Sequence, residues 1–191
     1  MRRWPFALSL SALAACASNA PHAAAGATPD VKDVSSTQAC AEVQCVRDIH
    51  VRLKDKDGKP FERTYAMVPV VQPAGVSIYA GQTVRFEADD SNGQLVNLRR
   101  VESGGDPART IEARLEQLPD GGMMLTTRNP FPRPLKIRMG MMLLDSDRLL
   151  KTTSCPVIPN GSGFEHWPHP IFQVFLGDLS LLPDSSGMRC E

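Results

Sequence analysis

The chain has 191 residues, with 21 Lys plus Arg balanced by 21 Asp plus Glu and 42% hydrophobic residues. That balance lacks the basic footprint of a nucleic-acid-binding protein, and the length suits a single domain with a real core plus a tether. After the first fifteen residues no stretch is apolar enough to span a bilayer as a helix.

Arg2 and Arg3 precede a mostly apolar run from Phe6 to Ala15. At about ten residues the run matches a secretory h-region and is too short to span a bilayer. It ends in Leu13-Ala14-Ala15-Cys16. Together these residues resemble the signal and lipobox of bacterial lipoproteins. The resemblance implies that residues 1–15 are removed and that the Cys16 thiol carries a diacylglyceryl group. Several acyl chains would then anchor the new N-terminus, each buried methylene contributing about 0.8 kcal/mol. Ala17, where Asp would retain the protein at the inner membrane, implies sorting to the periplasmic face of the outer membrane. Two other readings are an ordinary secretory signal with an incidental Cys16 and a twin-arginine signal on Arg2-Arg3, although the rest of the twin-arginine pattern is missing.

Setting Cys16 aside leaves Cys40, Cys45, Cys155 and Cys190, an even number for an oxidising compartment. Cys40–Cys45 would close a small loop at the domain entrance, and Cys155–Cys190 would pin the C-terminal tail. Crossed pairings between the two ends remain open. The Cys40 to Cys45 spacing is too loose for a CxxC redox motif, and a disulfide sulfur is neither a zinc ligand nor a nucleophile. Residues 16–39, rich in Ala, Ser, Thr, Pro and Asp, form the lipidated N-terminus and a flexible tether, and the folded domain covers 40–191.

From Cys40 onward the hydrophobic period is mostly two. Ile49, Val51 and Leu53 alternate with Asp48, His50, Arg52 and Lys54, a half-buried strand. Asp57-Gly58 turns the chain into a return strand from Phe61 to Val71, where Pro69 marks a bulge or an edge. Val76 to Tyr79 and Thr83 to Ala88 flank the turn Ala80-Gly81-Gln82. The stretch AGQTVRFEA there resembles a strand of immunoglobulin-like or cupredoxin-like sandwiches. Asn92-Gly93 makes a turn before Leu95 to Val101.

Residues 106–118 carry two signals. Asp106-Pro107 is a good helix start, with Ile111, Leu115 and Leu118 on one helical face. Ile111, Ala113 and Leu115 also alternate with charges, and Pro119-Asp120-Gly121-Gly122 leads into an apolar strand from Met123 to Thr127. The hairpin is the favoured reading. Leu135 to Leu144 and Leu149 to Ser154 continue as strands, prolines make 156–170 an irregular loop, and Ile171 to Leu182 supplies the last one or two. About eight short strands with regular turns predict an all-β fold, a disulfide-stapled antiparallel β-sandwich of immunoglobulin-like type.

The loop segment Glu165-His166-Trp167-Pro168-His169-Pro170 is the most suggestive chemistry. Pro168 and Pro170 forbid a helix, and in an extended polyproline geometry the two imidazoles would lie about 9 Å apart, sharing an ion only if the loop bends. The expectation is that Trp167 fills the end of the fold while His166 and His169 sit in water, the three forming a binding surface.

Met123, Met124, Met139, Met141 and Met142 with those histidines would suit copper, but a cupredoxin needs a thiolate close to a histidine, and Cys155 is not. Core filling is the better account of the methionines. Asp55-Lys56-Asp57-Gly58 lacks the remaining ligands of a calcium loop, and Asn160 spoils a nucleophile elbow around Ser162. With no HExxH, P-loop or dinucleotide fingerprint, no catalytic residue, metal or cofactor is named. The sequence therefore suggests a non-catalytic module on the outer membrane that binds an unknown periplasmic or outer-membrane protein or envelope component. Its alternative is a copper- or zinc-binding protein using His166, His169 and methionines.

Overall fold

A computed structural model describes residue 40, residues 43–183 and residues 188–190. The signal segment, Cys16 and the tether lie outside the described residues. In chain order the strands are β1 (Gln44–Lys54), β2 (Pro60–Gln72), β3 (Gly75–Tyr79), β4 (Thr83–Ser91), β5 (Gln94–Arg100) and β6 (Thr110–Gln117). They continue as β7 (Met123–Arg128), β8 (Leu135–Leu143), β9 (Leu150–Thr152), β10 (Ser162–Trp167) and β11 (Ile171–Leu181). Every paired strand is antiparallel. Hydrogen bonding links them in one path, β1-β2-β3-β11-β5-β4-β6-β7-β10, while β8 joins the other side of β11 and carries β9.

The last strand is the hub. β11 pairs β3 through Gln173–Gly177, meets β5 at the single pair Ser180↔Gln94, and runs along most of β8. Its sequence explains how it serves several neighbours. Val174 and Leu176 are buried, and after the register shift between Gly177 and Ser180 the buried residues are Leu179 and Leu181. Asp178, with φ 44°, sits in that shift. One extra residue in a strand reverses which side chains face inward, so the bulge keeps the apolar side in the core as the strand changes partner.

Local alternation elsewhere sets the inward faces. Val84, Phe86 and Ala88 of β4 and Ile111, Ala113 and Leu115 of β6 are all 5% exposed or less. Leu115 stands opposite Leu125 of β7, which provides the partner that resolves the ambiguous segment as strand. The helix-start signal at Asp106 is realised as a turn: its carboxylate accepts from the Ala108 amide at 3.0 Å, and its carbonyl accepts from Arg109 and Thr110 at 2.9 Å each. Asn92 and Gly93 both adopt positive φ, 55° and 90°, the turn conformation whose twist matches a two-residue hairpin. Pro69 lies opposite Cys45 at a register shift, so the expected irregularity is a bulge; β2 is flanked on both sides.

The core gathers Phe86, Ile78, Ile111, Leu115, Leu125, Ile137 and Leu176, with Met123 and Met139 among them. Each such side chain contributes roughly 1.5–3 kcal/mol of burial. Cys40 bonds Cys45 (Cα–Cα 5.7 Å) and Cys155 bonds Cys190 (Cα–Cα 4.0 Å), so the local pairing forms and the crossed one does not.

One sequence expectation needs correction. Residues 156–170 are not an irregular loop throughout, since Ser162–Trp167 forms β10 against β7. Pro156 and Pro159 precede the strand and Pro168 and Pro170 follow it, so the prolines bracket β10 without interrupting its ladder.

The turn before β10 is held by a buried amide. Asn129, with 0% exposure, donates from Nδ2 to the carbonyls of Arg133 (2.8 Å) and Ile158 (3.0 Å) and accepts at Oδ1 from the Phe131 amide (3.0 Å). Its own backbone amide donates to the Gly161 carbonyl at 2.8 Å. One side chain thus ties the proline-rich 129–134 segment to the approach to β10.

Candidate functional site

β10 ends the strand path, so among the described residues one of its backbone edges has no strand beside it. Period-two alternation sends Gly163, Glu165 and Trp167 to one face and Ser162, Phe164 and His166 to the other. The first face is committed to the fold. A Cβ on Gly163 would meet Cγ2 of Val157 at 2.9 Å, so this close approach requires glycine. Glu165 accepts from the Cys155 amide at 2.9 Å, and Trp167, 7% exposed, donates from Nε1 to Thr152 Oγ1 at 3.0 Å.

The second face is open. Phe164 is 66% exposed, the largest exposure among the exposed large hydrophobic side chains of the described residues. Register places Thr126 beside Phe164 and Met124 beside His166, with Arg114 and Glu116 of β6 in the next row. Arg114 and Glu116 pair at 2.6 Å. The result is an aromatic, a thioether and an imidazole on an outward sheet face beside a free edge, bordered by an ion pair. Edge strands normally carry charge or proline to discourage pairing, and Phe164 does the opposite.

The structure divides the three residues singled out in the sequence. Trp167 is a buried packing residue. His166 is exposed on the open face of β10. His169 is half-buried in the turn before β11, and its Nε2 is buried without a hydrogen-bond partner, so it does not sit in water as expected. It lines an apolar cleft with Phe61, Leu143 and Leu144. Among the described residues no group of three or more His, Cys, Asp or Glu is placed to hold a metal ion. Of the thioethers, Met124 stands beside His166, whereas Met139 is core and stands opposite Leu176 and Met141 packs partly buried against the core.

A charged cluster not singled out in the sequence lies on the outer side of β4 and β5. Glu87 stands opposite Arg99, which donates to it at 2.9 Å and to Asp89 at 3.3 Å; Arg109 also pairs with Asp89. The Asp106 amide donates to Glu87 at 2.9 Å and, with Arg99, holds the Glu87 carboxyl below its ordinary value of 4.5. Hydrogen bonds from Asn97, Arg99 and Arg109 hold Asp89 below 3.8, and Arg99 is raised in turn by Asp89 and Glu87. Each group has its counter-charge within the cluster, so the network fastens the 101–110 segment to the sheet and leaves no charge uncommitted for a reaction. Burial pushes Tyr79 up to about 12, while its hydroxyl donates to the Pro69 carbonyl at 3.2 Å.

A second concavity, of about 740 Å³, is lined by the amides of Gln44, Gln72, Gln94 and Asn97 together with apolar residues such as Val71 and Leu95. No known protein-family model, curated protein or solved structure matches the chain.

Proposed function

We propose that this protein is a lipid-anchored envelope module that binds a periplasmic or outer-membrane protein without catalysis. In this reading the domain is a β-sandwich of immunoglobulin-like type, tethered through Cys16 to the periplasmic face of the outer membrane. The observation that carries the reading is the run Leu13-Ala14-Ala15-Cys16 after a short apolar segment. The open face of β10 supports it by offering an exposed aromatic beside an unpaired edge, the combination a partner strand or loop would cover.

Two linked measurements test it. Metabolic labelling with a fatty acid should mark the wild-type chain and not Cys16→Ser, and the variant should leave the membrane fraction. A photo-crosslinking amino acid at position 164 should capture one periplasmic or outer-membrane protein, whereas the same group at exposed Glu62 of β2 should not. Unlabelled wild-type protein rejects the anchor; equal capture from both positions rejects the surface.

A further inference from the structure

The β1–β2 turn, the end of β8 and the segment before β11 enclose a cleft of about 490 Å³. Its walls are Phe61, Leu143, Leu144 and Pro170, and Asp55, Lys56, Asp145 and His169 also line it. This size and a mainly apolar lining with a few polar groups are those of a small-molecule site. Phe61, Leu143 and Leu144 all remain only half-buried in the folded chain. The fold leaves that apolar surface unfinished.

The charges in the cleft lining are unequal. Asp55 is fixed by the turn it organises, its Oδ1 accepting from the amides of Asp57 (2.9 Å) and Lys59 (2.8 Å). The Lys56 ammonium turns to Asp57 at 3.1 Å and is offset there. Asp145 is exposed and makes no ion pair among the described residues. Two carboxylates are therefore left without a cation of their own. His169 Nε2 is one of two buried side-chain atoms among the described residues that lack a hydrogen-bond partner, which is costly for a polar group out of water.

We propose that this cleft binds a small amphiphilic cation. Its apolar body covers Phe61, Leu143, Leu144 and Pro170, and its ammonium group lies toward Asp55 and Asp145. A neutral molecule with the same body gains only the apolar contact, and an anion is repelled.

The test uses the full chain carrying Cys16→Ser, so that neither acyl chains nor detergent compete for the cleft. Octylammonium, octanol and octanoate, each below its aggregation concentration, are titrated at pH 7 and followed by backbone amide shifts. Octylammonium should bind on the order of tenfold more tightly than octanol, the size of two solvent-exposed charge pairs, and octanoate more weakly than either. Shifts should concentrate at 55–61, 143–145 and 169–170. Asp145→Asn, at an exposed position that the fold does not use, should reduce the octylammonium-to-octanol ratio several-fold and leave octanol unchanged. Leu144→Ser should weaken all three while preserving the ratio. Octylammonium binding no more tightly than octanol, a ratio unmoved by Asp145→Asn, shifts centred elsewhere, or no binding by any probe would each overturn the proposal.

Discussion

The side-chain amide of Gln117 pairs with the backbone of Lys54 as a strand residue would. The Lys54 amide donates to Oε1 at 2.7 Å, and Nε2 donates to the Lys54 carbonyl at 2.8 Å. β1 is the other end of the strand path, and a second glutamine reaches it: Gln82 Nε2 donates to the His50 carbonyl at 3.4 Å. Side-chain amides thus occupy backbone groups of an edge that a second chain would otherwise pair. β10, with Phe164, has no comparable cover.

Gln117→Ala should therefore cost about 1–2 kcal/mol, since it removes the two partly solvated hydrogen bonds to Lys54 and a third, at 3.1 Å, to the Gly121 carbonyl. Urea unfolding should show a lower midpoint with an unchanged slope. Sedimentation should show more self-association, because the end of β1 is uncovered.

Asn129 is a sharper case because it is buried. Asn129→Ala removes the acceptor of the buried Phe131 amide and the donor shared by the Arg133 and Ile158 carbonyls, of which Ile158 keeps the Gly161 amide at 3.3 Å. The expected loss is about 2–4 kcal/mol. Hydrogen exchange should accelerate most at 129–134 and 157–163, the segments the side chain joins. Uniform acceleration would instead indicate a general core effect.

The two disulfides should differ in weight. Chain-entropy reasoning assigns about 2 kcal/mol to the Cys40–Cys45 bridge, whose separation is 5, and nearly 4 kcal/mol to Cys155–Cys190, whose separation is 35. Replacing each pair by serines and comparing thermal midpoints checks the order. The larger drop belongs to Cys155–Cys190.

Acid should loosen the β4–β5 face. Glu87 and Asp89 have folded values below their ordinary 4.5 and 3.8, so an unfolded chain binds protons there first. Their contribution is complete above those ordinary values and is lost as pH falls through the lower folded ones. Urea midpoints measured from neutral to strongly acidic pH should fall in that range. In Arg99→Met the fall should be shallower, because the folded carboxylates then sit closer to their unfolded values.

Most of the strands are legible in the sequence because side-chain alternation follows from the pleat itself and needs only near neighbours. Val84-Phe86-Ala88 and Ile111-Ala113-Leu115 declare their inward faces and Asn92-Gly93 its turn, while the cysteine spacings favour the pairing that forms and leave the crossed one open. Where two periods coexist, as at 106–118, local signals do not choose; β7 does, by offering Leu125 to Leu115. β10 was hidden by its neighbours, since four prolines around a short stretch read as a loop until β7 supplies a ladder.

The candidate site divides in the same way. The residue types at His166, Trp167 and His169 are visible in the sequence, but three successive environments are not: an open face, a packed interior and the wall of a cleft. Phe164 could have been found from the alternation of Ser162, Phe164 and His166 had the segment been recognised as a strand. The sequence by itself determined most strand faces and turns and favoured the disulfide pairing that forms, because these depend on the pleat, on backbone conformational preference and on loop closure. Only the tertiary structure decided that β11 is the hub, which edges glutamines cover and which side chains line the cleft, because those are contacts between residues far apart in the chain.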